Sequence, residues 1–235
     1  MRHFRFLLVA FVFESLLALG ALGLGWLFGI SPWYRAPEEP FGVVQFTRDL
    51  LWGLAATAPL VAVLLLEENP RWRSLTDLKD QVSGLLDRLL YGSTHLQLFI
   101  LALLAGLGEE LLFRGLLQTG LAHLLPARFA VAGSLLIASV IFGACHYLSH
   151  TYFVLATLAG FYFGLLMIAS GSIVPPIIAH ALYDFVALVY LLSESQTDHH
   201  HEPTQDELEA EIQPTNGDPE ANELIDAGPE AAEGL

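Results

Sequence analysis

Long uncharged apolar runs alternate with short polar connections along most of the 235 residues. Wound as a helix, about 20 apolar residues cross a hydrocarbon core of ~30 Å. Six runs approach that length, at about 6–30, 50–66, 96–125, 129–147, 152–168 and 173–192. The first follows Met-Arg-His-Phe-Arg, as a secretory signal would, but it continues to Ile30 with no Ala-x-Ala-like cleavage site. It is expected to stay as a first span. The pattern predicts an all-α, polytopic membrane helical bundle of about six transmembrane helices.

Between the second and third runs the period changes. Leu75, Leu78, Val82, Leu85, Leu86 and Leu89 recur every three or four positions among charged residues. This is the stripe of an amphipathic helix, lying on the membrane surface or packed against its own bundle. Pro175 and Pro176 fall at the start of the last run, where a missing backbone donor does least harm, or they divide that run in two.

Composition sharpens this picture: 54% of residues are hydrophobic and 15% charged, with a mean hydropathy of +0.54. The net charge of −15 is concentrated at one end, because residues 194–235 hold 13 Asp and Glu and no Lys or Arg. Such a segment buries too little apolar surface to offset its ordering entropy, so a disordered tail is expected, dispensable for activity. Three segments follow: 1–95, with two spans and the amphipathic helix; 96–193, with four spans; and the acidic tail, 194–235. No nucleic-acid partner is expected. The single cysteine, Cys145, excludes an intrachain disulfide and is expected to serve as packing.

Ionisable groups inside the apolar runs carry the candidate chemistry, since a charge at membrane depth is costly unless paired or hydrated. Gly108 to Arg114 reads Gly-Glu-Glu-Leu-Leu-Phe-Arg. On an α-helix Glu110 and Arg114 lie about 40° apart and form a natural ion pair, whereas Glu109 points about 100° away from Glu110. Glu109 is thus left without a local cation, in the position of a general base. His146 lies near the end of the fourth run, and His180 shares a face of the sixth with Asp184, four residues on. An Asp so placed orients the imidazole, shares an acceptor role or joins it as a metal ligand. Together these groups predict a polar cavity enclosed by the last four spans.

Glu-Glu-Leu-Leu-Phe-Arg fits EExxxR, Phe142 to His146 fits FxxxH, and His180 to Asp184 fits HxxxN/D, in that order. Over about residues 96–193 the chain resembles the CPBP family, the prenyl-protein (CAAX) endopeptidases and bacteriocin-processing intramembrane proteases, also called Abi. The resemblance implies an endopeptidase in which Glu109 and His146 activate water. In it, His180 and Asp184 polarise the scissile carbonyl or stabilise its oxyanion, and Glu110 and Arg114 hold the site together. The implied partners are a membrane-associated peptide or protein and the lipid bilayer. Where prenyl-protein proteases usually carry Asn, this chain has Asp184; ionised Asp cannot donate to an oxyanion, which leaves it to orient His180 or bind a cation.

Zinc or another divalent metal held by Glu109, His146, His180 and Asp184 stays open, which would make the enzyme a metalloprotease. So does a Glu-activated water with no metal, slightly favoured by the position of Glu109. Two non-protease classes also stay open. One is a non-catalytic bacteriocin-immunity-type protein; the other is a proton-coupled transporter with Glu109, His146 and His180 as the relay.

Other polar residues receive structural readings. Glu14 is expected to face the bundle or reach an interface rather than the site. His123 and His150 are expected near span ends, and His199, His200 and His201 in the solvated tail. Gly106, Gly108 and Gly115 are expected to allow close helix approach, and Trp26, Trp33, Tyr34 and Trp52 to form an interfacial belt. Six spans put both termini on one side. That side carries Arg2, Arg5, Arg71, Arg73, Lys79 and Arg88 against Arg35, Arg48 and Arg128 opposite, so both termini are expected in the cytoplasm of a cell-membrane protein.

Overall fold

The computed structural model describes residues 2–36, 42–65 and 73–199. In chain order the helices are α1 (Arg2–Phe28), α2 (Val43–Leu65), α3 (Arg73–Leu90) and α4 (His95–Glu110). A π-helical segment (Leu111–Gln118) follows, then α5 (Thr119–Leu124), α6 (Ala130–Cys145), α7 (His150–Ser170) and α8 (Val174–His199). The described helices as far as Gln196 pack as one compact unit. Most of the acidic tail, the Pro37–Pro40 connection and the start of the amphipathic segment from Glu67 to Trp72 lie outside the described residues.

Local sequence sets the helix boundaries. Thr94 opens α4 with a capping box: its hydroxyl accepts from the Gln97 N–H at 3.3 Å, and its own N–H donates to the Gln97 side chain at 2.8 Å. Ser149 caps α7 by accepting from the Tyr152 N–H. Gly171 closes α7 with φ of 67°, a conformation that disfavours any residue with a Cβ. Pro175 and Pro176 occupy the first turn of α8 and do not divide it.

Among the described residues, five helices are long and apolar enough to cross a membrane: Phe4–Phe28, Val43–Leu65, His95–Leu124, His150–Ser170 and Val174–Ser193. The expected fourth span is shorter. Helix α6 has 16 residues, about 24 Å at 1.5 Å per residue, so the count of six full-length spans is not reached among the described residues. Large apolar side chains point outward, as Val12, Leu16 and Leu19 do on α1 and Leu136 and Val140 on α6. In water that surface would be a liability; in lipid it is the solvated face. The molecule is a multi-pass, all-helical membrane protein.

Close packing comes from the glycines of the third span. A Cβ on Gly106 would stand 2.8 Å from the Ala181 backbone nitrogen on α8, and one on Gly108 2.6 Å from the Glu14 carbonyl oxygen on α1. One on Gly115 would collide with the Pro32 carbonyl. Helix α3 spends part of its apolar face on the bundle itself, where Leu86, Leu89 and Leu90 join Leu7, Leu98 and Leu192.

Two expectations need correction. Tyr34 is not part of an exposed belt: it packs against Ala21 and Ile173, and its carbonyl accepts from the Ile173 N–H at 3.0 Å. Trp26, Trp33 and Trp52 do remain exposed. Cys145 is also exposed rather than packed in the core.

Candidate active site

Glu109 and Glu110 end α4 where the backbone widens into the π-helical segment. The sequence reading placed a continuous α-helix here. The wider turn is marked by the Thr119 hydroxyl, which donates to the Arg114 carbonyl five residues back at 3.1 Å. Such turns are rare and recur at functional sites. Glu110 and Arg114 nonetheless meet, with Nη1 to Oε1 at 3.0 Å and almost no exposure of either side chain.

Arg114 is enclosed further. Its Nη2 donates to the Gly160 carbonyl at 3.1 Å, and its guanidinium carbon sits 4.3 Å over the Phe142 ring. A weakly hydrated planar cation tolerates such a wall of aromatic faces better than an ammonium would. The pair is also tied to the rest of the site. Glu110 Oε1, which faces Arg114, also lies 2.8 Å from His180 Nδ1. One carboxylate oxygen thus joins the cation of the third span to the imidazole of α8.

His180 is fixed on its other sides as well. Its ring stacks on Phe163 of α7, with centroids 4.8 Å apart and planes 12° from parallel. Its Nε2 lies 3.4 Å from Asp184 Oδ2 and 3.9 Å from Glu109 Oε2. The i, i+4 spacing on α8 delivers the Asp184 contact.

His146 is the C-cap residue of α6 and retains about a quarter of its side-chain exposure. Its Nδ1 lies 2.8 Å from the Phe142 carbonyl, so the neutral ring carries its proton there and turns Nε2 toward Glu109. Nε2 stands 3.4 Å from Glu109 Oε2. That contact is close enough for an ion pair, but off the line of a hydrogen bond, and Oε2 makes none.

The structure therefore brings together Glu109, Glu110, Arg114, His146, His180 and Asp184 from α4, the π segment, α6 and α8. Glu109, His146, His180 and Asp184 border one cavity of about 390 Å³, whose walls are otherwise largely apolar. His123 and His150 stay at exposed helix ends.

Three cavity residues escaped the sequence reading. Glu14, expected to face elsewhere, lines the cavity from α1 and keeps one buried oxygen without a hydrogen bond; the contact at Gly108 brings its backbone beside Glu109. Tyr152 and Phe163 line the cavity from α7 with Ala156 and Ala159. Their 4, 3, 4 spacing is the one sequence signal that marks them as a single face.

As for a metal, His180 Nδ1 is taken by Glu110, and no group of three or more His, Cys, Asp or Glu side chains among the described residues is arranged to hold an ion. The donor set does not fit the zinc reading.

No curated protein and no solved structure matches the chain. Residues 91–186 match the family model described as type II CAAX prenyl endopeptidase Rce1-like. That segment contains all six of the side chains gathered here, and over it the chain is similar to the type II CAAX prenyl endopeptidases.

Proposed function

We propose that the chain is an endopeptidase that hydrolyses a peptide bond of a membrane-associated or lipidated substrate, with Glu109 and His146 activating the attacking water. The observation that carries this is the approach of His146 Nε2, at 3.4 Å, and His180 Nε2, at 3.9 Å, to the same oxygen of Glu109.

With its Nδ1–H given to Phe142, His146 turns an accepting nitrogen toward the carboxylate. A water seated beside the pair, within reach of both, loses a proton to Glu109 as its oxygen bonds to the carbonyl carbon. The carbonyl π pair moves onto oxygen, where His180, protonated on both ring nitrogens with its Nδ1–H given to Glu110, donates its Nε2–H to the developing charge. Collapse restores the carbonyl, breaks the C–N bond and returns the proton to the departing amine. Glu110 holds His180 from behind, and Asp184 orients its Nε2 edge. The apolar part of the cavity, bordered by Leu78, Val82, Leu86, Leu101, Leu188 and Leu191, suits an apolar side chain or lipid group of a substrate arriving from the bilayer.

Protein reconstituted in vesicles should cleave a membrane-anchored reporter peptide, and should keep full activity after chelation with metal analysis showing none bound. Activity lost on chelation and restored by zinc would contradict the metal-free step. Proton-coupled uptake without any cleavage would favour a relay in place of a protease.

The side on which the site opens follows from charge. Arg5, Lys79 and Arg88 lie on the more basic side of the membrane, which supports cytoplasmic termini. A reporter fused at residue 80 should be active only in the cytoplasm; an external signal there would reverse the orientation.

A further inference from the structure

Hydrolysis places a full negative charge on the carbonyl oxygen, and the cavity holds few donors to meet it. Glu14, Glu109 and Asp184 only accept when ionised. His146 gives its Nδ1–H to Phe142, and His180 turns Nδ1 to Glu110. The doubly protonated His180 keeps its Nε2–H, and Asp184 stands 3.4 Å from Nε2 as a competing acceptor. Lys79 borders the cavity too, but it lies 3.3 Å from the Tyr190 hydroxyl. Tyr190 is six residues beyond Asp184, about 9 Å further along α8.

Tyr183 borders the cavity as well but already has an interaction of its own, which leaves Tyr152. Its phenol borders the cavity from the first turn of α7 and stands edge-on to His146, with centroids 6.5 Å apart and planes at 79°. It lies near enough to Asp184 and Glu109 to feel their charge. Its backbone N–H is fixed by the Ser149 cap, which seats the residue, while the hydroxyl forms no hydrogen bond among the described residues.

We propose that the Tyr152 O–H is a second oxyanion donor, acting beside His180 Nε2–H and making good the donor that Asp184 cannot supply. This rests on the endopeptidase reading above. The hydroxyl gains its partner only when the tetrahedral oxygen forms, so it acts in the transition state and not in substrate binding.

Tyr152→Phe removes one O–H and leaves the ring against His146. It should lower kcat by about 10²- to 10³-fold, the effect of deleting one oxyanion donor, with KM and thermal unfolding little changed. A phosphinate analogue of the reporter peptide, which carries the oxyanion permanently, should bind Tyr152→Phe more weakly by a similar factor. Wild-type kcat in Tyr152→Phe would overturn the proposal. So would a kcat loss with unchanged phosphinate affinity, or one matched by a rise in KM, since each points to a structural or substrate-binding role. Activity retained by Glu109→Gln would instead sink the endopeptidase reading; an inactive Glu109→Gln beside a fully active Tyr152→Phe would sink this inference alone.

Discussion

Glu109→Gln is expected to lower kcat by about 10²- to 10⁴-fold, the usual contribution of a positioned general base, while leaving the folded protein nearly as stable as before. The two halves of that expectation share one cause. Glu109 Oε2 is buried without a hydrogen bond, near two imidazole nitrogens that approach without locking onto it. A carboxylate so placed is not locked into the packing and keeps an oxygen open toward a bound water. The amide is nearly isosteric and cannot act as a base at neutral pH. His146→Ala should reduce kcat by a comparable factor. The double variant should be little worse than either single one, because residues that act on one water do not contribute independently. Initial rates on the reporter peptide in vesicles, with unfolding followed in parallel, check both parts. A Glu109→Gln protein that unfolds early would make the residue structural instead.

The Glu110–Arg114 pair should behave in the opposite way. Its side chains are 0% and 1% exposed, so removing either one strands a buried charge, at a cost of about 3–5 kcal/mol. Arg114→Leu should therefore unfold at markedly lower temperature than Glu109→Gln and should also be inactive, because Glu110 positions His180. Glu110→Gln combined with Arg114→Met removes both charges and should recover much of the lost stability without recovering activity. Thermal unfolding of the four proteins in one detergent separates these cases. Equal stability of Arg114→Leu and wild type would mean that water reaches the pair and that the brace is not needed.

The chemistry of the site was legible in the sequence to the extent that it rested on charge. Ionisable residues are so costly in an apolar run that Glu109, Glu110, Arg114, His146, His180 and Asp184 stood out, and the i, i+4 spacings paired Glu110 with Arg114 and His180 with Asp184. The link between those pairs was not legible. The 2.8 Å contact of His180 Nδ1 with Glu110 joins residues 70 apart, which no local spacing encodes. The π-helical segment was missed because Leu111 to Gln118 has the composition of an ordinary apolar helix. Tyr152 and Phe163 were hidden for a related reason: an aromatic residue in a membrane helix reads as packing until the helices around it are placed. Glu14 was assigned away from the site because one acid in a first span has no local partner, and only the close approach at Gly108 shows which cavity it borders. The spans themselves were plain from hydropathy, except that α6 proved too short to cross a full hydrocarbon core by length alone.

The most direct test compares the membrane proteomes of cells carrying the active protein and cells carrying Glu109→Gln at equal abundance. A defined set of membrane-associated proteins should keep uncut precursors only in the Glu109→Gln cells, each differing from its processed form at one peptide bond. Identical termini throughout both proteomes would contradict the claim that this buried carboxylate drives peptide hydrolysis.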